Sequence, residues 1–166
     1  MVAHLNLALE GGVDCLVARV SDPETRAKII ADIKNEQPTY ENFFQYAGSW
    51  DRVLINECRV KAYEGKTVLQ IARENNEDPY EMALDIIKNS ENNVMMIVFT
   101  MDEEDISRVL QDPCSIVCTD GFPGLGPYHP RYTAAFTRVL EKYVKEENLL
   151  SLPQAGGVFR LSISEK

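Results

Sequence analysis

The sequence predicts an α/β fold, because short apolar segments with the pattern of strands alternate with amphipathic segments that carry helix caps. Residues 115–121 are the most informative segment: an apolar run ends at Asp120, and a loop rich in glycine and proline follows before the next helical pattern. Barrels of alternating strands and helices place catalytic groups at the ends of their strands in this way. An Asp-Gly pair after a strand is also typical of a plain turn, so a structural interpretation stays open.

Length and charge limit the kinds of protein that this chain can be. Its 166 residues suit one domain, but a complete (β/α)8 barrel needs about 250. The 26 acidic and 17 basic residues give a net charge of -9, which argues against nucleic acid or an anionic membrane as partner. The first residues lack the pattern of a signal peptide, and the longest apolar run, 94–99, is too short to span a bilayer. We therefore expect a cytoplasmic protein.

The four cysteines, Cys15, Cys58, Cys114 and Cys118, form no CxxC pair, and two histidines cannot complete a conventional zinc finger. Three of them lie in apolar surroundings, which predicts buried thiols in a reducing compartment. Cys114 and Cys118 should face the same side of a strand. A thiol site there is a further interpretation, although no neighbouring histidine or basic residue would lower the thiol pKa.

The first half of the chain contains three helix starts that depend on specific residues. Asp22 and Pro23 predict the cap and first position of a helix over about 23–35. Thr67 with Gln70 predicts a capping box, and Asp78 with Pro79 opens the next helix. Residues 51–58 alternate like a strand. The two helices after it resemble an insertion at about 60–90, and the aromatic residues at 40–46 fit either a core or a ligand pocket.

The second half alternates strand and helix patterns. Residues 94–99 are apolar at every position, which predicts a strand covered on both faces. The acidic run 102–105 could bind a metal, but a helix cap at Asp102 with acidic residues in the first turn explains it as well. Residues 132–145 form an amphipathic helix. Residues 151–154 begin like a capped helix that glycines at 156–157 should interrupt, and 158–163 alternate like a strand.

Five segments carry a resemblance to a known family. Residues 8–33, 65–87, 118–121 (CTDG), 129–131 (HPR) and 134–155 resemble, in this order, the N-acyl-D-amino-acid deacylases. These D-aminoacylase-like enzymes are part of the amidohydrolase superfamily. The resemblance implies a zinc-dependent hydrolase that cleaves the amide bond of N-acyl-D-amino acids on a distorted TIM barrel.

The resemblance also implies roles for particular residues. Asp120 matches the aspartate at the end of the last barrel strand, which contacts the metal, activates its bound water and later protonates the leaving amine. Arg131 matches the arginine that binds the substrate carboxylate. Gly121 and His129 belong to the same substrate-binding loop.

Most of the family's metal ligands have no counterpart in this sequence. The paired histidines of the first strand, the cysteine ligand and the later histidines are missing, and neither His4 nor His129 replaces them. The chain resembles the C-terminal third of such an enzyme. We therefore expect a partial (β/α) barrel over 1–155 and a diverged or truncated tail at 156–166, as a truncation, a split gene or a remnant would give. Zinc is the cofactor expected in full-length relatives, whereas this chain by itself lacks most of the ligands that would hold it.

Two classes of function follow. The chain is either an incomplete hydrolase that acts on N-acyl amino acids once completed, or a non-enzymatic binding or assembly module that kept the helices and lost the chemistry. Half a barrel leaves strand edges open, which is a liability unless another chain covers them. The expected partner is therefore a second copy of the chain or a complementary N-terminal half.

Overall fold

Helices form most of this fold, and the described residues contain a single sheet of two strands. The computed structural model describes residues 11–35, 42–121 and 131–159. The chain divides into two compact units, Met1–Thr100 and Met101–Lys166. No helix in the described part of the chain is long and apolar enough to cross a membrane.

In the part of the first unit that the structure describes, there are five helices, two short 3-10 turns and both strands. The helices are α1 (Val13–Ser21), α2 (Pro23–Ile33), α3 (Phe43–Ala47), α4 (Val68–Asn75) and α5 (Pro79–Asn89). The 3-10 turns are Trp50–Arg52 and Lys61–Tyr63, and the strands are β1 (Val53–Cys58) and β2 (Val94–Val98).

All regular secondary structure in the described part of the second unit is helical. Its elements are α6 (Glu103–Gln111), α7 (Arg131–Arg138), a π-helical continuation (Val139–Glu146) and α8 (Leu152–Val158). The amphipathic pattern at 132–145 predicted this long helix, although the pattern did not show that its second half would be π-helical.

The three helix starts predicted in the first half of the chain are confirmed by their caps, whereas the Asp102 side chain makes no capping hydrogen bond at the start of α6. The Asp22 carboxylate accepts a hydrogen bond from the backbone N–H of Thr25 at 2.9 Å. Thr67 and Gln70 form the predicted reciprocal capping box at α4. These side chains occupy donors that have no partner inside the helix, and this requirement is local enough to be read from sequence.

The sheet is antiparallel, and its register pairs Val53 with Val98 and Cys58 with Val94. A bulge interrupts β1 between Ile55 and Glu57. The core-facing side chains of β1 are buried, but Met95 on β2 is 54% exposed. The prediction that 94–99 is covered on both faces is therefore wrong for the described residues.

The core of the first unit forms where α4 and α5 pack beside the sheet. Phe44 stacks against Trp50 at 4.3 Å between ring centroids, and Tyr80 meets Trp50 edge-on at 5.2 Å. This supports the core interpretation for Phe44, whereas Tyr46 is exposed. A second cluster joins α1 to α5; its buried members are Leu16, Val20, Leu84 and Ile87.

The second unit has a smaller core. Its buried members are Leu110, Val139, Tyr143, Leu150, Ala155 and Val158. α8 begins with a capping box between Ser151 and Gln154, and it continues through both glycines to Val158. The predicted interruption at 156–157 is wrong because Ala155 and Val158 are buried, and this packing outweighs the weak helix propensity of glycine. The strand predicted at 158–163 starts inside this helix, and its residues beyond 159 lie outside the described part.

The strand predicted at 115–119 is not formed in the structure. Residues 115–120 have no regular secondary structure, and the Val117 N–H connects them to the core by donating to the Val158 carbonyl at 2.7 Å. A strand forms only when another strand pairs with it, and the described residues of this unit provide none. A partial barrel is therefore not confirmed: the described part is α-rich with one antiparallel strand pair.

Candidate functional site

Asp120 lies at the end of the irregular 115–120 segment, in the second unit. Its backbone has a left-handed φ of 41°, a conformation that aspartate tolerates better than most residues. Its N–H lies 3.4 Å from the Cys118 sulfur, and its side chain is 87% exposed. The carboxylate therefore points into solvent, where a ligand can reach it.

Arg131 is the first residue of α7, and the structure brings it to Asp120. Its guanidinium Nη2 lies 3.6 Å from the Asp120 carboxylate Oδ2, and the Arg131 side chain is 51% exposed. An exposed pair at this distance contributes little to stability, so either group can exchange its partner for a ligand at small cost.

Gly121, which follows Asp120 in the chain, packs very closely against Tyr132 at the start of α7. A Cβ atom at this position would lie 2.9 Å from the Tyr132 Cα and 2.8 Å from its Cδ2. The Gly121 N–H donates to the Thr119 hydroxyl at 3.2 Å. The absence of a side chain thus lets the Asp120 segment approach the start of α7. His129, the fourth predicted site residue, lies outside the described residues.

A half-open cavity of about 450 Å³ lies beside the same segment. Cys114, Ile116, Leu150 and Val158 contribute to its lining. Two polar side chains of the lining are already engaged, because the Ser115 hydroxyl donates to the Val109 carbonyl and Gln154 belongs to the α8 capping box. The cavity therefore offers mainly apolar contacts.

The cysteines differ from the sequence prediction of three buried thiols. Cys58 is buried in the sheet, but Cys15, Cys114 and Cys118 are exposed. The prediction is wrong because Cys114 and Cys118 lie in an irregular segment rather than in a covered strand, and because Cys15 lies on an exposed position of α1. A shared strand face for Cys114 and Cys118 is absent for the same reason.

The described residues do not by themselves provide a metal cage. Within 11–35, 42–121 and 131–159, no three His, Cys, Asp or Glu side chains are grouped as a metal ion would require. Zinc in proteins is usually held by at least three such ligands, and Asp120 can supply one. The donor set described here therefore does not fit a zinc site.

Sequence reasoning missed a charge cluster around Glu103 on α6. The Glu103 carboxylate pairs with Arg138 at 3.0 Å and with Lys142, and it accepts a hydrogen bond from the Tyr143 hydroxyl at 2.8 Å. These partners, Lys142 first and Tyr143 second, lower the pKa of Glu103 to about 2. Glu103 of the acidic run thus connects α6 to the long helix, and the signal for it was the spacing of the basic residues at 138 and 142.

Comparison with known proteins identifies relatives over part of the chain, although no family model matches it. The N-acyl-D-glutamate deacylase of Alcaligenes xylosoxydans xylosoxydans is 46% identical over 59 residues, which are 36% of this chain and 12% of that protein. The N-acyl-D-aspartate deacylase of the same organism is 42% identical with the same coverage. Its D-aminoacylase is 28% identical over 105 residues, 63% of this chain and 21% of that protein.

Comparison with solved structures identifies enzymes of the same kinds. The crystal structure of N-acyl-D-glutamate deacylase from Bordetella bronchiseptica, complexed with zinc and a phosphonate inhibitor, matches 69% of this chain and 23% of that chain, with a TM-score of 0.57 and 31% identity. A D-aminoacylase structure that defines a novel subset of amidohydrolases matches 65% of this chain and 22% of that chain, with a TM-score of 0.54 and 28% identity. This chain spans only about an eighth to a quarter of each relative. Over that part, its similarity to the N-acyl-D-amino-acid deacylases is confirmed.

Proposed function

We propose that this chain is the part of an N-acyl-D-amino-acid hydrolase that binds the substrate carboxylate and transfers a proton. The observation that carries the proposal is the position of Arg131 beside Asp120 at 3.6 Å, both accessible to solvent. Supporting it, relatives of this chain are N-acyl-D-glutamate and N-acyl-D-aspartate deacylases.

Arg131 is the carboxylate-binding group of the proposed site. A guanidinium donates two parallel hydrogen bonds to a carboxylate, and in the structure one carboxylate, that of Asp120, already lies near it. A substrate carboxylate would take this place. The apolar cavity beside Cys114 is suited to an acyl group, and Gly121 and His129 complete the proposed binding loop.

Asp120 is the proton-transfer group of the proposed site. As a carboxylate it can accept a proton from the attacking water and then donate it to the leaving amine nitrogen. The attack itself would need a metal site that the described residues do not supply. We therefore expect hydrolysis only when the chain is completed by a polypeptide that carries one.

Binding can be tested on the chain alone, with N-acetyl-D-glutamate as the probe. Titration followed by NMR should show binding to the wild-type chain and at least a tenfold loss of affinity in Arg131→Gln, because charged hydrogen bonds contribute about 1.5–3 kcal/mol each. Arg108→Gln is the matched control, since Arg108 is also an exposed arginine paired with a carboxylate in the same unit. Equal affinities in both variants would refute the assignment of Arg131.

Asp120→Asn separates binding from chemistry. Removing this carboxylate takes away a competitor for Arg131, so probe affinity should stay equal or rise by up to about fivefold. In the completed enzyme the same variant should abolish deacylation. A completed Asp120→Asn enzyme that still hydrolyses the probe would contradict the proton-transfer role.

The second candidate is a non-enzymatic binding or assembly module. It is favoured by one observation, the lack of a three-ligand metal cluster among the described residues. On this interpretation, Asp120→Asn would leave the cellular role of the protein intact. A loss of that role in the same variant would favour the hydrolase.

A further inference from the structure

The open edge of strand β2 is the most distinctive unassigned surface of the first unit. β2 pairs with β1 along one edge, and among the described residues no strand pairs with the other edge. The outer edge of β1, in contrast, is occupied: Leu54 bridges to Thr67, and Ile55 N–H donates to the Lys66 carbonyl at 2.9 Å. Among the described residues, the unpaired edge of the sheet is therefore that of β2.

Two hydrogen bonds show which backbone groups point to the open edge. The Phe99 N–H donates to the Arg52 carbonyl, and the Asn93 carbonyl accepts from the Arg59 N–H. Both bonds point toward the β1 side. Because backbone groups alternate along an antiparallel strand, those of residues 94, 96 and 98 face the open edge. The bulge lies in β1 and does not disturb this alternation.

The side chains of β2 lack the charges and the proline that normally protect an edge. Protected edges carry charged residues or proline, or they are short and twisted away. The sequence of β2 is Val-Met-Met-Ile-Val, with neither a charge nor a proline. On the face away from the core, Met95 and Phe99 are both about half exposed.

We propose that β2 pairs with β2 of a second copy of this chain, giving a four-stranded antiparallel sheet across a twofold axis. The strand is complementary to a second copy of itself. When Met96 lies opposite Met96 of the second copy, Val94 lies opposite Val98. The backbone groups of residues 94, 96 and 98, which face outward in each copy, can then form hydrogen bonds with each other. Every facing pair is apolar, so no like charges meet although each chain carries a net charge of -9.

The test is the molar mass of the 166-residue chain by light scattering at about 100 μM, where mass action favours a dimer. The wild-type chain should show twice its mass of 18.8 kDa. Met95→Lys places a charge on the exposed face beside the new strand pair and should give a monomer. Val109→Lys is the matched control, because Val109 is also 54% exposed but lies on α6, and it should remain a dimer.

A second variant tests the backbone pairing itself. The Val94 N–H faces the open edge, so Val94→Pro removes no bond to β1 but removes a donor from each copy at the proposed interface. It should give a monomer with a far-UV circular dichroism spectrum like that of the wild type. A monomeric wild-type chain, or a dimer that survives both Met95→Lys and Val94→Pro, would overturn the proposal.

Discussion

At the scale of single residues, Gly121 shows how a missing side chain can shape a site. A Cβ atom placed on Gly121 would lie 2.9 Å from the Tyr132 Cα, which is closer than Cβ atoms come to such atoms in real proteins. Gly121→Ala must therefore push the Asp120 segment away from α7. We expect a loss of about 1–3 kcal/mol in the free energy of unfolding of the second unit, measured by urea denaturation.

Gly156→Ala provides the control with the opposite sign. Gly156 lies inside α8, and nothing lies within 4 Å of a Cβ built there. Alanine in place of a helical glycine should stabilise by about 0.5–1 kcal/mol. Equal effects of the two substitutions would show that Gly121 does not contact Tyr132 as described.

Glu103 makes stability depend on pH in a defined direction. Its folded pKa, about 2, is depressed from the ordinary value of 4.5 by Lys142 and Tyr143. A depressed carboxyl pKa stabilises the fold above pH 4.5, and this contribution is lost as the pH falls from 4.5 toward 2. Glu103→Gln should thus cost about 1 kcal/mol at pH 7, since the pairs are partly exposed, and less at pH 3.5.

Glu104, next to Glu103 on α6, provides the control for the Glu103→Gln prediction. Glu104 forms an exposed pair with Arg108 one turn along the same helix. Glu104→Gln should change the free energy of unfolding by no more than about 0.5 kcal/mol. If the difference between wild type and Glu103→Gln grew on acidification, the direction assigned to the Glu103 pKa would be wrong.

At the scale of elements, Arg26 of α2 connects three helices. Its guanidinium pairs with Glu81 and Asp85 of α5 at 2.6 and 2.7 Å and donates to the Val20 carbonyl at the end of α1 at 2.9 Å. The Arg26 side chain is only 14% exposed. Arg26→Met leaves these acceptors without their donor, so we expect a loss of about 1–3 kcal/mol in urea denaturation.

Lys28 on the same helix shows what an ordinary surface pair contributes. It pairs with Glu24 one turn away, and its side chain is 73% exposed. Lys28→Met should leave the free energy of unfolding nearly unchanged, because an exposed pair contributes little to stability. An Arg26→Met effect as small as this would mean that the Arg26 contacts do not hold the three helices together.

These elements also show which parts of the fold were predictable. The helix starts at Pro23, Val68 and Pro79 follow from caps, and a cap involves residues only two or three positions apart. The segment at 115–119 has the composition of a strand, but strand formation depends on a partner that is distant in sequence. The resemblance singled out Asp120 and Arg131 as candidate site residues, whereas their contact and the close packing of Gly121 depend on tertiary structure.

At the scale of the whole molecule, the two units have cores of unequal size. Among the described residues, the first unit contains a main cluster around Trp50 and a second cluster around Leu16, whereas the second unit has six buried side chains. Small units bury a smaller fraction of their surface and are correspondingly marginal. The first unit should therefore hold its fold without the second.

This difference predicts the behaviour of fragments. Residues 1–100 expressed alone should give a dispersed amide NMR spectrum that overlays on the corresponding signals of the intact chain, because both strands and the clusters around Trp50 and Leu16 lie within them. Residues 1–89 lack β2, which pairs with β1 and covers one side of the core, so this shorter fragment should lose its dispersion. If residues 1–100 also gave a collapsed spectrum, the first unit would depend on residues 101–166 for its fold, and the Gly121→Ala variant should then destabilise both units together.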